Sequence, residues 1–240
     1  MVLVGDHDDH PQRAAVSVQA GVAVSLAAAC CSRIAWRLPI LRRATPGIAG
    51  AITLLLIAYQ PLALRVNRQL VYEQNVGGLA VRAHVYDANV TRPIYPFEER
   101  LIETAKSAET AGISIFAPKQ RDYFKAPARI EVTSKCLGYV DHVSQTKTPG
   151  VVGASGWIYD ASSRSVPNAI VIAGPDGKVL GTGLTGGRRD DVSKLYGSAS
   201  RYADWTAFFS AQPDTRFDID GQTNDGAFCS IGGSRVPVGP

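Results

Sequence analysis

Apolar positions are spread unevenly along this chain. They crowd between Ala14 and Leu64, then thin into short periodic runs separated by Gly and Pro. Residues 14–31 are uncharged, rich in Ala and Val, and just long enough to cross a bilayer, though Ser17, Gln19 and Ser25 weaken them. A signal-peptide core following Arg13 has the same texture. Ala27-Ala28-Ala29-Cys30 resembles a lipoprotein cleavage site, with Ala where Leu is usual three places before the Cys. The second apolar run close behind favours a membrane helix, and its small residues suit close packing on other helices. Residues 47–64 are the stronger span, with an unbroken run Ile52-Thr53-Leu54-Leu55-Leu56-Ile57 and with Pro61 tolerable near the end. The expected order is a polar tail at 1–13, two transmembrane helices within 14–66, a juxtamembrane helical segment and linker at 67–128, and a β-domain at 129–240.

Period-3.6 patterning predicts a helix over 66–86, with Leu70, Val71, Leu79, Val81 and Val85 apolar and a bend at Gly77-Gly78. Arg92-Pro93-Ile94-Tyr95-Pro96 breaks the chain. A better helix runs over 97–111: Leu101, Ile102, Ala105 and Ala108 share a face, Glu98 and Glu99 fill the first turn, and Gly112 stops it. Residues 113–116 read as a short strand or a docking segment, and 117–128 as a linker. Beyond 129 the pattern shortens to strands: 129–133, 137–143, 151–159, 169–173, 179–185, 206–210, 216–219 and 227–231. Pro175-Asp176-Gly177 is the turn of a hairpin. One helical turn, 190–196, interrupts before Gly197. The fold class expected is α+β, ending in a small antiparallel β-sandwich or partly open barrel.

Charge changes this picture little. The formal net charge of +4 comes from interspersed residues, with no Lys/Arg block interleaved with aromatics, so nucleic acid is not an expected partner. Arg33, Arg37, Arg42 and Arg43 between the spans place that loop in the cytoplasm by the positive-inside rule, although Arg13, Arg65 and Arg68 lie on the other side. Residues 67–240 are then outside a bacterial inner membrane. Cys136 and Cys229 bracket the β-rich region and read as a disulfide in an oxidising compartment, or as two buried thiols.

Candidate chemistry is sparse. Asp6-His7-Asp8-Asp9-His10 lies in a free tail that offers a metal no second shell, so no metal site is assigned. The stretch Gly181-Thr182-Gly183-Leu184-Thr185-Gly186-Gly187 lacks the Gly-Lys-Ser/Thr and following helix of a phosphate loop, and reads as a Gly-rich strand end. Asp141-His142 has no nucleophile motif to serve. Asp190 and Asp191 read as the N-cap and first-turn acid of the short helix. No catalytic residue is assigned and no cofactor is expected.

Aromatics are the richer signal: Trp157, Tyr159, Tyr196, Tyr202, Trp205, Phe208 and Phe209 fall within the β-region. Two readings stand. Trp157 and Trp205 are the centre of a packed core, or Trp157, Tyr159, Tyr202 and Trp205 line a concave face that stacks on sugar rings. Alternation along 151–159 puts Trp157 and Tyr159 on one face, and favours the core.

Gly156-Trp157-Ile158-Tyr159-Asp160, then Pro167-Asn168-Ala169-Ile170-Val171-Ile172, then Gly181-Thr182-Gly183 with Arg189-Asp190-Asp191-Val192 and Asp204-Trp205 resemble the C-terminal β-domain of uncharacterised bacterial polytopic membrane proteins. Those proteins resemble glycosyltransferases that use lipid-linked sugars. Upstream, 95–116 is similar to the helix after their last span. The resemblance covers residues 47–231 and implies an extracytoplasmic β-domain. The catalytic acids expected in such transferases lie near the first membrane helix, which this chain does not match, so none carries over. The expectation is a membrane-anchored, non-catalytic β-domain that binds or positions an envelope component. The bilayer, other transmembrane subunits and a glycan are its expected partners. The alternative is a C-terminal fragment of a polytopic glycosyltransferase, inactive on its own.

Overall fold

The computed structural model describes residues 39–117 and 130–238. The polar tail, the first apolar segment, Arg33, Arg37 and most of the linker lie outside the described residues. The chain divides into two units, residues 1–67 and 68–240.

Helix α1, Pro39–Arg82, is one continuous helix of 44 residues. It joins two elements that the pattern separates, and it takes in Arg42 and Arg43, which were expected in a loop. Among the described residues it is the one helix long and apolar enough to cross a membrane, with a mean hydropathy of 1.8 in its apolar window. The apolar run lies open: Leu54 and Leu55 are each 70% exposed. Pro61 sits mid-helix, where it lacks the N–H that would bond the Ile57 carbonyl.

In the second unit the end of α1 is amphipathic. Tyr72, Val76, Leu79 and Ala80 form a buried stripe at helical spacing. The helix runs unbroken through Gly77-Gly78, where a bend was expected. A Cβ on Gly77 would stand 2.7 Å from Ile94 Cδ1 and 3.0 Å from the Val90 carbonyl, so the glycine admits the next segment against the helix. That segment holds α2, Ala88–Thr91, whose first turn is capped by the Asp87 carboxylate accepting from the Asn89 N–H at 2.9 Å. Helix α3, Glu98–Ala111, ends as expected at Gly112, in the left-handed conformation. The 3₁₀ turn Ser114–Phe116 is the docking segment rather than a strand: Phe116 is buried with Val81, Leu101 and Ala105.

Eight strands follow: β1 Val132–Lys135, β2 Leu137–Gln145, β3 Val151–Tyr159, β4 Ala169–Ala173, β5 Val179–Gly187, β6 Asp204–Ser210, β7 Arg216–Gln222 and β8 Phe228–Arg235. Between β5 and β6 lies α4, Asp190–Tyr196. The strands form one sheet in the order β1-β8-β7-β4-β5-β6-β3-β2. This is a half-barrel rather than a sandwich, and it is mixed rather than antiparallel, because β1 and β8 pair in parallel. The sheet is curled, and its two terminal strands adjoin in the chain. β1 lies at one end, β2 at the other, and only Cys136 separates them in sequence. There the Cys136 N–H donates to the Ser230 carbonyl at 3.0 Å, and Cys136 is bonded to Cys229 with Cα atoms 5.2 Å apart.

One face of the sheet is the core: Val152, Ala154, Ile158, Ile170, Ile172, Trp205, Ala207, Phe209, Phe217 and Ile219. Gly181 and Gly183 on β5 leave room there. A Cβ on Gly183 would stand 2.6 Å from Ala207 Cβ, and one on Gly181 would collide with Phe209. The Gly-rich stretch is therefore a strand packed under neighbours. The opposite face presents Phe208, which packs with Tyr72, Val76, Leu79 and Val85. A Thr148 hydroxyl donating to the His84 carbonyl at 2.6 Å ties the β2–β3 turn to the segment after α1.

Candidate aromatic–arginine site

Tyr139, Trp157 and Asp204 stand directly across from one another on β2, β3 and β6, so all three project from the face opposite the core. Tyr159, two residues beyond Trp157, shares that face. Helix α4 lays Tyr196 over both rings, 5.7 Å from the Trp157 centroid and 6.1 Å from that of Tyr159, at tilts of 34° and 32°. The patch is graded. Tyr139 is 65% exposed and Tyr196 40%, Trp157 is half-buried, and Tyr159 is buried beneath.

The four aromatics expected to form a site therefore separate. Trp157 and Tyr159 stay together. Trp205 lies on the core face, fully buried. It stands opposite Gly156, and the small Ala154 and Gly156 of β3 leave room for its indole. Tyr202 stands apart, with the Arg68 guanidinium 5.4 Å above its ring. The expectation that Trp157 belongs to the core fails for the same reason: alternation along β3 was read correctly, but the core takes the Val152–Ala154–Ile158 face.

Beside the aromatic patch, Arg189 draws three carboxylates together. Its guanidinium donates to Asp141 of β2, donates to Asp191 Oδ2 of α4 at 2.8 Å, and lies 3.7 Å from Asp204 Oδ1 of β6. Only 18% of the Arg189 side chain is exposed. Asp191 is held down at about 2, chiefly by the hydrogen bond from Arg189. The Arg189 guanidinium is pushed up, first by its bond to Asp191. Burial raises Asp204, and the neighbouring Asp141 adds to that, while Tyr72 and Arg189 pull it back. Asp190 was expected as the N-cap of α4 and Asp191 as its first-turn acid. Asp191 does sit in the first turn, with Asp190 beside it, but the capping position is Arg189, and the two acids pair with Arg188 and Arg189. Asp141, bonded to Arg189, is not set up as a partner for His142.

Asp204 reaches further. Its Oδ2 accepts from the Tyr72 hydroxyl of α1 at 3.2 Å, and that hydroxyl lies 3.1 Å from Thr206 Oγ1. Sequence reasoning missed Tyr139, Tyr72 and the role of Arg189. The run Arg188-Arg189-Asp190-Asp191 was the visible signal for the last of these, while Tyr139 joins the site only through the β2–β3 register.

Elsewhere on the domain a cleft of about 360 Å³ lies among Thr133, Asp160, Ser162, Ser163, Thr223 and Asp225. Its Asp160 carboxylate accepts from the Ser162 and Ser163 hydroxyls, each at 2.6 Å, and those bonds hold it below the ordinary carboxylate range against the opposing effect of burial. Among the described residues, no group of three or more His, Cys, Asp or Glu is disposed to hold a metal ion. No family model, curated protein or solved structure matches the chain.

Proposed function

We propose that this chain is a membrane-anchored envelope protein whose β-domain binds a glycan at the Tyr139–Trp157–Tyr196 patch, without catalysing its turnover. In this reading residues 14–31 and 47–64 are two spans of a bacterial inner membrane, and residues 67–240 lie on its outer side. The observation that carries the binding role is a cluster of three stacked or adjoining rings, two of them exposed, bordered by fixed charged hydrogen-bonding groups. β-linked pyranoses of glucose configuration carry equatorial hydroxyls and therefore expose flat C–H faces, which rest on aromatic rings. Asp141, Asp191 and Arg189 supply acceptors and donors at the ring edges, the usual division of labour in a ligand site. Arg189 pairs with all three carboxylates and holds them as hydrogen-bonding groups, which suits binding rather than bond cleavage.

Tyr139→Ala is the sharpest test, because a ring this exposed adds little to folding. The full chain in lipid nanodiscs is titrated with chitohexaose and with peptidoglycan fragments. Wild type is expected to bind at least one of them, and Tyr139→Ala to weaken that binding about tenfold, equivalent to ~1.4 kcal/mol of stacking, with an unchanged unfolding temperature. Equal affinity of the two proteins, or no binding by wild type to either, overturns the proposal.

A further inference from the structure

We infer that the aromatic site and the 68–82 segment of α1 are energetically coupled through Asp204, so that occupancy of the site and the seating of that segment on the sheet depend on one another. This rests on the glycan-binding reading for its ligand, but not for its geometry.

A single carboxylate serves both partners: Asp204 Oδ2 holds the Tyr72 hydroxyl, while Oδ1 faces the Arg189 guanidinium. Arg189 is in turn tied to Asp141 and Asp191 at the edge of the aromatic patch. The seat for Tyr72 is shaped for it. A Cβ on Gly187 would lie 2.5 Å from both Tyr72 Cε1 and Asp204 Oδ2, and Gly186, at φ +127°, would meet the Tyr72 ring at 3.4 Å. Two further residues of the same helix segment hold the chain near Arg189 and near Asp204. The Arg188 backbone N–H donates to Gln69 Oε1 at 3.1 Å, and Arg68 covers Tyr202. The strip 186–189 is thus held by α1 on one side and by the site's carboxylates on the other.

A sugar hydroxyl that accepts from Arg189 competes with Asp204 for that guanidinium. Released from Arg189, Asp204 turns more of its acceptor strength to Tyr72, and the helix segment is held more firmly. Linkage requires the reverse effect as well: whatever loosens Tyr72 changes affinity at the site by the same factor.

The test uses the full chain in nanodiscs, with amide hydrogen exchange read separately over 68–82 and 188–197. Tyr72→Phe keeps the ring in its seat and removes the hydroxyl, and Arg189→Lys keeps the charge and removes the fork. Each is expected to slow exchange about threefold or more in the other's segment, since Asp204 then serves the remaining donor alone, and the double variant to depart from the product of the two effects. Effects confined to each variant's own segment, or multiplying without interaction, overturn the coupling. In the ligand arm, Tyr72→Phe is expected to shift the chitohexaose Kd by about fivefold or more, a change that a local packing role does not produce. An unchanged Kd in protein that does bind chitohexaose also overturns it. Failure of wild type to bind any glycan counts against the glycan reading alone, and the exchange cycle then decides the coupling.

Discussion

Trp157 and Trp205 sit on adjacent strands, with Asp204 and Gly156 as their respective cross-strand partners, and they face opposite sides of the sheet. Core packing concerns only the second. Trp205 is fully buried, and its indole N–H has no hydrogen-bond partner among the described residues. The ring therefore acts through volume. Trp205→Ala should cost roughly 3–5 kcal/mol, while Trp205→Phe should cost distinctly less, since it removes an unpaired donor along with part of the ring. Trp157→Ala should cost well under either Ala value expected for a core ring. Chemical denaturation of the three variants orders them, and a Trp157→Ala loss equal to that of Trp205→Ala contradicts this assignment. Asp220 is the opposite kind of misfit, a carboxyl 2% exposed with one oxygen unpartnered among the described residues. Burial raises its pKa, the nearby Asp218 adds to this, and Ser230 opposes it. A carboxyl whose folded pKa is raised contributes stability that is complete below its unfolded pKa and is lost as pH climbs through the folded value. Asp220→Asn removes the buried charge. The variant should therefore gain stability over wild type at pH 7 and lose that advantage near pH 3. A difference independent of pH contradicts the sign.

At the scale of elements, legibility followed the range of the interactions involved. Helix α4 and strands β3 and β4 begin and end where the pattern put them, because Gly197, the Pro175-Asp176-Gly177 turn and period-2 alternation are all local. The Gly177 N–H closes that turn on the Gly174 carbonyl at 2.8 Å, with φ +76° at Gly177. Parallel pairing of β1 with β8 joins residues almost a hundred positions apart, and no local signal announces it. The same limit hid the site. Tyr139 meets Trp157 only once β2 pairs with β3, with an irregularity between Val140 and His142 that leaves Asp141 bonded to Arg189. Gly77-Gly78 shows a local cue misleading: read alone it weakens a helix, yet at Gly77 the missing side chain is what lets Val90 and Ile94 approach. The aromatic content of the site was visible in composition, whereas the sorting of its rings between two faces required the core face to be known.

At the scale of the whole molecule, orientation joins the anchor to the domain's chemistry. Arg33, Arg37, Arg42 and Arg43 precede the 47–64 span and favour a cytoplasmic N-terminal side for it, against Arg65 and Arg68 beyond it. The disulfide adds an independent argument. It closes a loop of sequence separation 93 across the seam of the half-barrel, between residues that are 8% and 0% exposed. On the chain-entropy model a closure of this length stabilises by roughly 4–5 kcal/mol, and a cytoplasm that keeps thiols reduced would forfeit that contribution. We predict that residues 67–240 are exported. Alkaline phosphatase, which folds only outside the cytoplasm, should be active when fused after Pro240, and a cytoplasmic reporter at the same point should be silent. In a background carrying Cys30→Ser and Cys31→Ser, a bulky maleimide added to denatured whole-cell protein should label nothing until a reductant is supplied, then label two sites. An inactive phosphatase fusion with an active cytoplasmic reporter would reverse the orientation. Free Cys136 and Cys229 in cells would remove the seam's covalent staple and with it the second argument for export.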